Sequence, residues 1–243
     1  MVETLPRGTG ARLSMVLAGE QLFAERGLRG VSLREIGLAA GQRNNSAAQY
    51  HFGSRLGLAE AIFEHRMATI NERREALLGR LAAEGRADDL RGIVEALVVP
   101  LAEAIGSPSA PSYYARFASQ LAFDPELDVI VQLDRPFLSG LKGVLEGMLR
   151  CLGHLSPSVA QVRIHLTLRL VTVALADQER LATSPGGAPW RRVAASDLVE
   201  AGMAILTAPT PGPDGSRGPG GATSARRGVR RHGCSTDEKE SVS

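Results

Sequence analysis

Between residue 11 and about residue 207, apolar residues recur at helical spacing, and capping or breaking residues divide the chain into segments. In the first segment Met15, Gly19 and Leu22 follow an i, i+4, i+7 pattern, which is typical of one face of an amphipathic helix. Nowhere does a run of β-branched residues alternate with polar ones, as a half-buried strand requires. The sequence therefore predicts an all-α fold with about nine helices.

Cap and stop signals predict where the first helices begin and end. Gly27 is placed to end the first helix in a left-handed conformation. Ser32 and Glu35 have the spacing of a capping box at the start of the second helix. A short third helix is predicted over 46–52, and Ser54 can cap a long fourth helix. Further helices are predicted over 88–105, 112–123, 126–150, 157–184 and 196–207.

Composition excludes several classes of protein. Of the 243 residues 44% are apolar, and the formal net charge is only +2, so bulk basicity does not indicate a nucleic-acid partner. Cys151 and Cys234 belong to no metal or disulfide pattern, and no phosphate-cradling motif occurs. No uncharged apolar stretch approaches the roughly 18 residues of a membrane helix. We therefore expect a cytoplasmic protein without cofactor or metal, not an enzyme, and with no membrane partner.

Residues 33–52 have the layout of a helix-turn-helix, two short helices joined by a turn at Gly41. In such a motif the second helix enters the major groove of DNA, where arginine pairs with guanine, and asparagine or glutamine with adenine. Serine, tyrosine and protonated histidine donate to phosphates. Side chains of these types make up the second segment: Arg43, Asn44, Asn45, Ser46, Gln49, Tyr50 and His51. So polar a helix is a poor core element, and this favours DNA binding over a solvated helix-turn.

This region resembles the TetR family of transcriptional regulators. The resemblance rests on residues 21–27 (QLFAERG), 31–36 (VSLREI) and 50–55 (YHFGSR), with Ala40-Gly41 between the last two. It covers about residues 12–65. It implies a homodimer with an N-terminal three-helix DNA-binding domain and a C-terminal helical domain for ligand binding and dimerisation.

The resemblance also implies roles for individual residues. Arg34 matches a position that contacts DNA, and residues 43–49 match the segment that reads bases. His51 and Arg55 match positions that contact phosphates. One departure is that Phe52 lies eleven residues after Gly41, one more than is usual in the family.

Two alternatives stay open within this segment. Gln49 stands where the family often has a phosphate-binding tyrosine, so the neighbouring Tyr50 either takes over the phosphate or packs inward. The third helix is capped either by Asn44 or by Ser46, since residues 46–49 also have capping-box spacing.

The remainder of the chain predicts a dimer and a ligand site. The helix near 157–184 has apolar stripes on two faces, one for its own subunit and one for a partner, and 196–207 is the helix expected to join it in a homodimer. A small-molecule site is expected in the region 88–150, which combines aromatic residues with a few polar groups. Its candidate residues are Tyr113, Tyr114, Phe117, Gln120 and Phe137.

We therefore predict four parts: a flexible arm (1–10), a DNA-binding domain (11–56), an effector-binding and dimerisation domain (57–207) and a disordered tail (208–243). The predicted function is sequence-specific regulation of transcription, as a repressor that a small molecule releases from a pseudo-palindromic double-stranded operator. The alternatives are a ligand-independent DNA-binding protein and a helical carrier or enzyme.

Overall fold

Helices are the only regular secondary structure in the residues that the structure describes. The structure is a computed structural model that describes residues 7–44, 46–105, 112–121, 135–182 and 193–210. Its α-helices are α1 (Arg7–Arg26), α2 (Leu33–Ala39), α3 (Ala47–Phe52), α4 (Arg55–Ala83), α5 (Leu90–Ile105), α6 (Tyr114–Leu121), α7 (Ser139–Cys151), α8 (Pro157–Ala182) and α9 (Ala195–Thr207). Short 3-10 helices occupy Leu28–Gly30 and Pro136–Leu138. The prediction of an all-α fold with about nine helices is confirmed.

The local signals at the N-terminal end act as predicted. Gly27 has a φ of 74°, the left-handed conformation that ends α1. The Ser32 hydroxyl accepts a hydrogen bond from the Glu35 amide at 3.2 Å, and the Glu35 carboxylate accepts one from the Ser32 amide at 2.8 Å, so the capping box is formed. The Ser54 hydroxyl accepts from the Gly57 amide at 3.0 Å and caps α4.

Two helix starts differ from the prediction. Helix α1 begins at Arg7, inside the predicted arm of residues 1–10, because the glycines there lower helix propensity without ending a helix. Helix α7 begins only at Ser139, since Pro136 holds the preceding residue in extended conformation and opens a 3-10 turn instead. Residues 126–134 of that predicted helix lie outside the described residues, as does most of the predicted tail.

Helix α4 connects the helix-turn-helix to the rest of the protein. Its 29 residues span roughly 43 Å at 1.5 Å per residue. Near its start it packs against α1 at Gly19, where a side chain would meet Leu58 at 2.8 Å. Helix α1 also packs against α6 through Phe23 and Phe117, whose ring centroids lie 6.2 Å apart. We call α1 to α3 with the first turn of α4 the head, and the remaining helices the body.

Helix α8 has the predicted two-faced character. Ile164, Val171 and Leu175 are buried against the body. The other stripe, which includes Val162, Leu166 and Val173, is exposed. Because Leu166 is half exposed at 51%, this face leaves apolar surface uncovered within one subunit.

By length and composition alone, α8 is also the one helix in the described part of the chain that could cross a membrane. Its most apolar window has a mean hydropathy of 1.4, and 39% of that window is buried in the fold. Its Arg163 is buried and donates to the carbonyl of Leu206, near the end of α9, at 2.9 Å. Helices α6 and α9 both pack against it, as is typical of a core helix.

Candidate nucleic-acid interface and adjoining cavity

Small residues let α2 and α3 cross closely. Ala48 of α3 is buried, and the position of a side chain at Gly37 of α2 would lie 4.0 Å from its Cβ. Ile36 is fully buried beneath the pair. Because Ala48 faces α2, the opposite face of α3 points away from the core.

The face of α3 that points away from the core carries the polar side chains. Six residues of the predicted reading segment are exposed: Arg43, Asn44, Ser46, Gln49, Tyr50 and His51. Tyr50 is 86% exposed, which excludes the inward-packed alternative for its ring. Asn45 lies outside the described residues.

The start of α3 follows neither capping alternative in full. Ser46 occupies the N-cap position, but its hydroxyl makes no capping hydrogen bond. The Ser46 amide instead donates to Asn44 Oδ1 at 2.9 Å, a local turn that both residues share. Gln49 donates to the Gly53 carbonyl at the other end of the helix, so the capping box of residues 46–49 is not formed.

Some arginines of the head are paired with carboxylates and others are not. Arg12 and Arg26 are paired with Glu64 and Glu35, and Arg66, further along α4, is paired with Glu20. Arg34 and Arg43 are exposed, and within the described residues their side chains have no hydrogen-bond or ion-pair partner. Arg34 and Arg43 therefore leave unpaired positive charge on the surface of the head.

The acidic residue next to Arg34 does not cancel this charge. Hydrogen bonds from the Ser32 side chain, then from its backbone, lower the pKa of Glu35, and Arg26 adds to the effect. Glu35 thus stays ionised but is occupied by the helix cap. Arg55, at the start of α4, donates to the carbonyl of Arg29 at 3.3 Å.

A tight turn fixes α3 to the start of α4. Phe52, the last residue of α3, lies under the guanidinium of Arg12, which is 5.5 Å from its ring centroid. Gly53 follows with a φ of 69°, and the Ser54 amide donates to the Phe52 carbonyl at 2.7 Å. A Cβ at Gly57 would lie 2.1 Å from that carbonyl oxygen. Only glycine fits this contact, which sets the orientation of α3.

Two buried carboxylates, one from the head and one from the body, hold the start of α6. Glu20 of α1 is 1% exposed and accepts from Arg66 at 2.6 and 2.8 Å and from the Tyr113 amide at 3.2 Å. Glu179 of α8 accepts from the amides of Ala115 and Arg116 at 3.0 and 2.9 Å. Free amides and the helix dipole make a helix N-terminus a favourable place for anions.

Behind this junction lies a cavity of about 110 Å³, lined by α4, α5, α6, α7 and α8. Most of its wall is apolar: Phe63, Met67, Leu97, Leu101, Leu138 and Leu141. The polar lining groups are Arg74, Tyr114, His165, Arg169 and Thr172. An apolar cavity with a few polar groups is typical of a small-molecule site.

Comparisons with known proteins find similarity to transcriptional regulators. The helix-turn-helix-type transcriptional repressor KstR2 of Rhodococcus jostii (strain RHA1) is 31% identical over 142 residues, which are 57% of this chain and 65% of that protein. A solved structure of a Mesorhizobium loti MAFF303099 protein, described as a TetR-family regulator, is 17% identical, covers 83% of this chain and 95% of its own, and has a TM-score of 0.44. A TetR-family regulator of Streptomyces coelicolor A3 is 18% identical, with coverages of 85% and 99% and a TM-score of 0.40. The chain is thus similar in sequence to a helix-turn-helix-type transcriptional repressor, and it spans slightly less than two thirds of that protein's length. No protein-family model matches the chain.

The ligand residues predicted for a TetR-like regulator are not all brought together. Tyr114 lines the cavity, whereas Phe117 is buried between Phe23 and Phe63 and serves the core. Tyr113 is half-buried beneath Arg116, whose guanidinium is 4.8 Å from its ring centroid. Two others do not line the cavity: Gln120 is exposed, and Phe137 is half-buried with its carbonyl accepting from Asn71.

Two buried charged residues were not predicted from the sequence. Glu20 lies between Val16 and Phe23 on the inner stripe of α1, and Arg74 follows Ile70 by one turn on the inner face of α4. A charged residue on an otherwise apolar stripe was the available signal, since such residues are rarely buried without a partner or a function.

Proposed function

We propose that this chain is a homodimeric transcriptional repressor that binds a pseudo-palindromic operator through α3 and releases it when a small molecule occupies the cavity. The outer face of the head carries the DNA-binding part of this proposal. There exposed groups of the kinds that pair with bases and phosphates stand beside two arginines without acidic partners. The similarity to a repressor supports the same function. We expect it to act in the cytoplasm.

Replacing Arg43 with alanine is expected to weaken operator binding by about 1–3 kcal/mol, because a base contact is lost, while binding to random DNA changes little. Fluorescence anisotropy with an operator and a scrambled duplex of equal length measures both affinities. The matched control is Arg150→Ala, an exposed arginine of α7 paired with Asp88 in the body, which leaves both affinities unchanged. Equal losses on the two duplexes would make Arg43 a phosphate contact.

The exposed stripe of α8 is the proposed dimer contact, together with α9. Exposed apolar side chains recur there over three turns, and apolar surface left uncovered on one subunit is stabilised by a second copy of the same face. A two-fold symmetric dimer has two identical heads, and a pseudo-palindromic operator offers two matching half-sites.

Replacing Leu166 with glutamate is expected to convert the dimer to a monomer, because each subunit would have to bury an unpaired carboxylate in the apolar interface. Leu149→Glu is the matched control, since this leucine is 43% exposed on α7, away from the stripe, and its substitution leaves the dimer intact. Sedimentation equilibrium gives the molecular mass of each. A dimeric Leu166→Glu variant would place the interface elsewhere.

The proposed release works through α4 and α6, two helices that line the cavity and also contact the head. Helix α4 begins at the proposed DNA face and lines the cavity through Phe63 and Met67. Helix α6 lines it through Tyr114, while the adjacent Tyr113 amide is bound by Glu20 of the head. A ligand that fits better when these helices shift reorients the heads and lowers operator affinity. The effect is limited by its difference in affinity for the two states.

A further inference from the structure

We propose that the cavity binds a small apolar carboxylate, with the carboxylate group on the guanidinium of Arg74 and the apolar part among the leucines of α5 and α7. This inference rests on the proposed function in taking the cavity as the effector site. It adds the chemical class of the effector.

Arg74 is the residue that points to an anion. It lies on α4, is 2% exposed and lines the cavity. Its contacts are all to neutral groups: Asn71 Oδ1 at 3.1 Å, and Met67 Sδ and the Leu97 carbonyl at 3.5 Å. Its Nε has no hydrogen-bond partner among the described residues. No described carboxylate forms an ion pair with it.

A buried guanidinium without an anionic partner is energetically unfavourable. Burial lowers the pKa of Arg74 to about 10, so the guanidinium is still charged at neutral pH. Buried charges are otherwise paired, because their desolvation is unfavourable. The two buried carboxylates nearby are occupied, Glu20 by Arg66 and the Tyr113 amide, and Glu179 by the amides of α6. A carboxylate from outside the chain would supply the missing partner, and an arginine can bind it with two parallel hydrogen bonds.

The rest of the cavity sets the size and polarity of the ligand. No aspartate or glutamate is among the described lining residues, so nothing there repels an anion. Its volume of about 110 Å³ approaches the roughly 150 Å³ of an engineered cavity that holds benzene. A single ring or a short alkyl chain with one carboxylate therefore fits. Tyr114 adds a phenolic hydroxyl to the same wall.

The test compares acids with their neutral amides on the full chain without DNA. Benzoate, phenylacetate and hexanoate, each beside its primary amide, are titrated by isothermal calorimetry. We expect at least one carboxylate to bind at least about tenfold more tightly than its amide, since hydrogen bonds to charged groups contribute more than neutral ones. If none of the three binds at millimolar concentration, or if acid and amide bind equally, the proposal is overturned.

Variants locate the contact. Arg74→Met removes the charge at similar length and is expected to abolish the preference for the acid, whereas Arg74→Lys retains part of it. Arg73→Met is the matched control, because Arg73 is the neighbouring residue, exposed and paired with Glu103. An Arg74→Met protein that still prefers the acid contradicts the proposal. The wild-type comparison of acid and amide needs no variant, so a folding defect does not remove the test.

Operator release is measured separately, so the two claims can fail independently. A carboxylate that binds through Arg74 without altering DNA affinity supports the inference and contradicts the proposed release. Release by a neutral compound, with no carboxylate bound, does the reverse.

Discussion

Replacing Gly57 with alanine is expected to abolish operator binding and to lower the free energy of unfolding by about 1–3 kcal/mol. The new methyl group would lie 2.1 Å from the Phe52 carbonyl oxygen, and this atom belongs to the backbone, so it cannot rotate away. The turn between α3 and α4 has to shift, and with it the orientation of α3.

The matched control is Gly79→Ala on the same helix. A Cβ at Gly79 meets nothing within 4 Å, so the alanine variant is expected to stabilise the protein by about 0.8–1 kcal/mol through helix propensity. Urea unfolding and operator binding of both variants measure the effects. If both substitutions changed stability in the same direction, the contact with Phe52 would not fix the turn between α3 and α4.

Replacing Glu20 with alanine is expected to destabilise the protein by roughly 3–5 kcal/mol, the cost of breaking a buried ion pair from one side. The substitution leaves Arg66 without its carboxylate and the Tyr113 amide without its acceptor. Because these contacts join α1 to α4 and α6, the head also loses its fixed position on the body, and operator affinity falls with it.

Glu25→Ala is the control for this effect. Glu25 lies on the same helix, is exposed and accepts only from Gln21 at 3.0 Å, so a change within about 0.5 kcal/mol is expected. Glu20→Gln, which keeps an acceptor for the Tyr113 amide, should be intermediate. A Glu20→Ala variant as stable as Glu25→Ala would contradict the proposal that Glu20 joins α1 to α4 and α6.

Local signals explain why so much of the fold could be predicted from the sequence. The capping box of Ser32 and Glu35, the left-handed Gly27 and the Ser54 cap are contacts between residues at most four positions apart, and all of them are formed. The two apolar stripes of α8 likewise depend only on helical spacing. The predicted start of α7 is wrong because Pro136 disfavours helical conformation in the residue before it.

The details of the site depend on contacts distant in sequence, which a single sequence does not show. Glu20 meets Tyr113 across 93 positions, and Phe117, predicted as a ligand residue, is instead drawn into a ring cluster with Phe23 and Phe63. Arg74 shares the inner face of α4 with apolar residues, and only the packed structure shows that no carboxylate meets it. The start of α3 was ambiguous because two residues could cap it, and the structure uses Asn44 and Ser46 together.

The most direct test of the proposed function is selection of DNA by the full chain from a random-sequence library, followed by sequencing, at low and at moderate salt. We expect an enriched inverted repeat with half-sites about one helical turn apart, and an affinity that falls as salt rises. Arg43→Ala should alter the enriched bases. Enrichment of no sequence, or of a single asymmetric site, would contradict a dimeric, sequence-specific repressor.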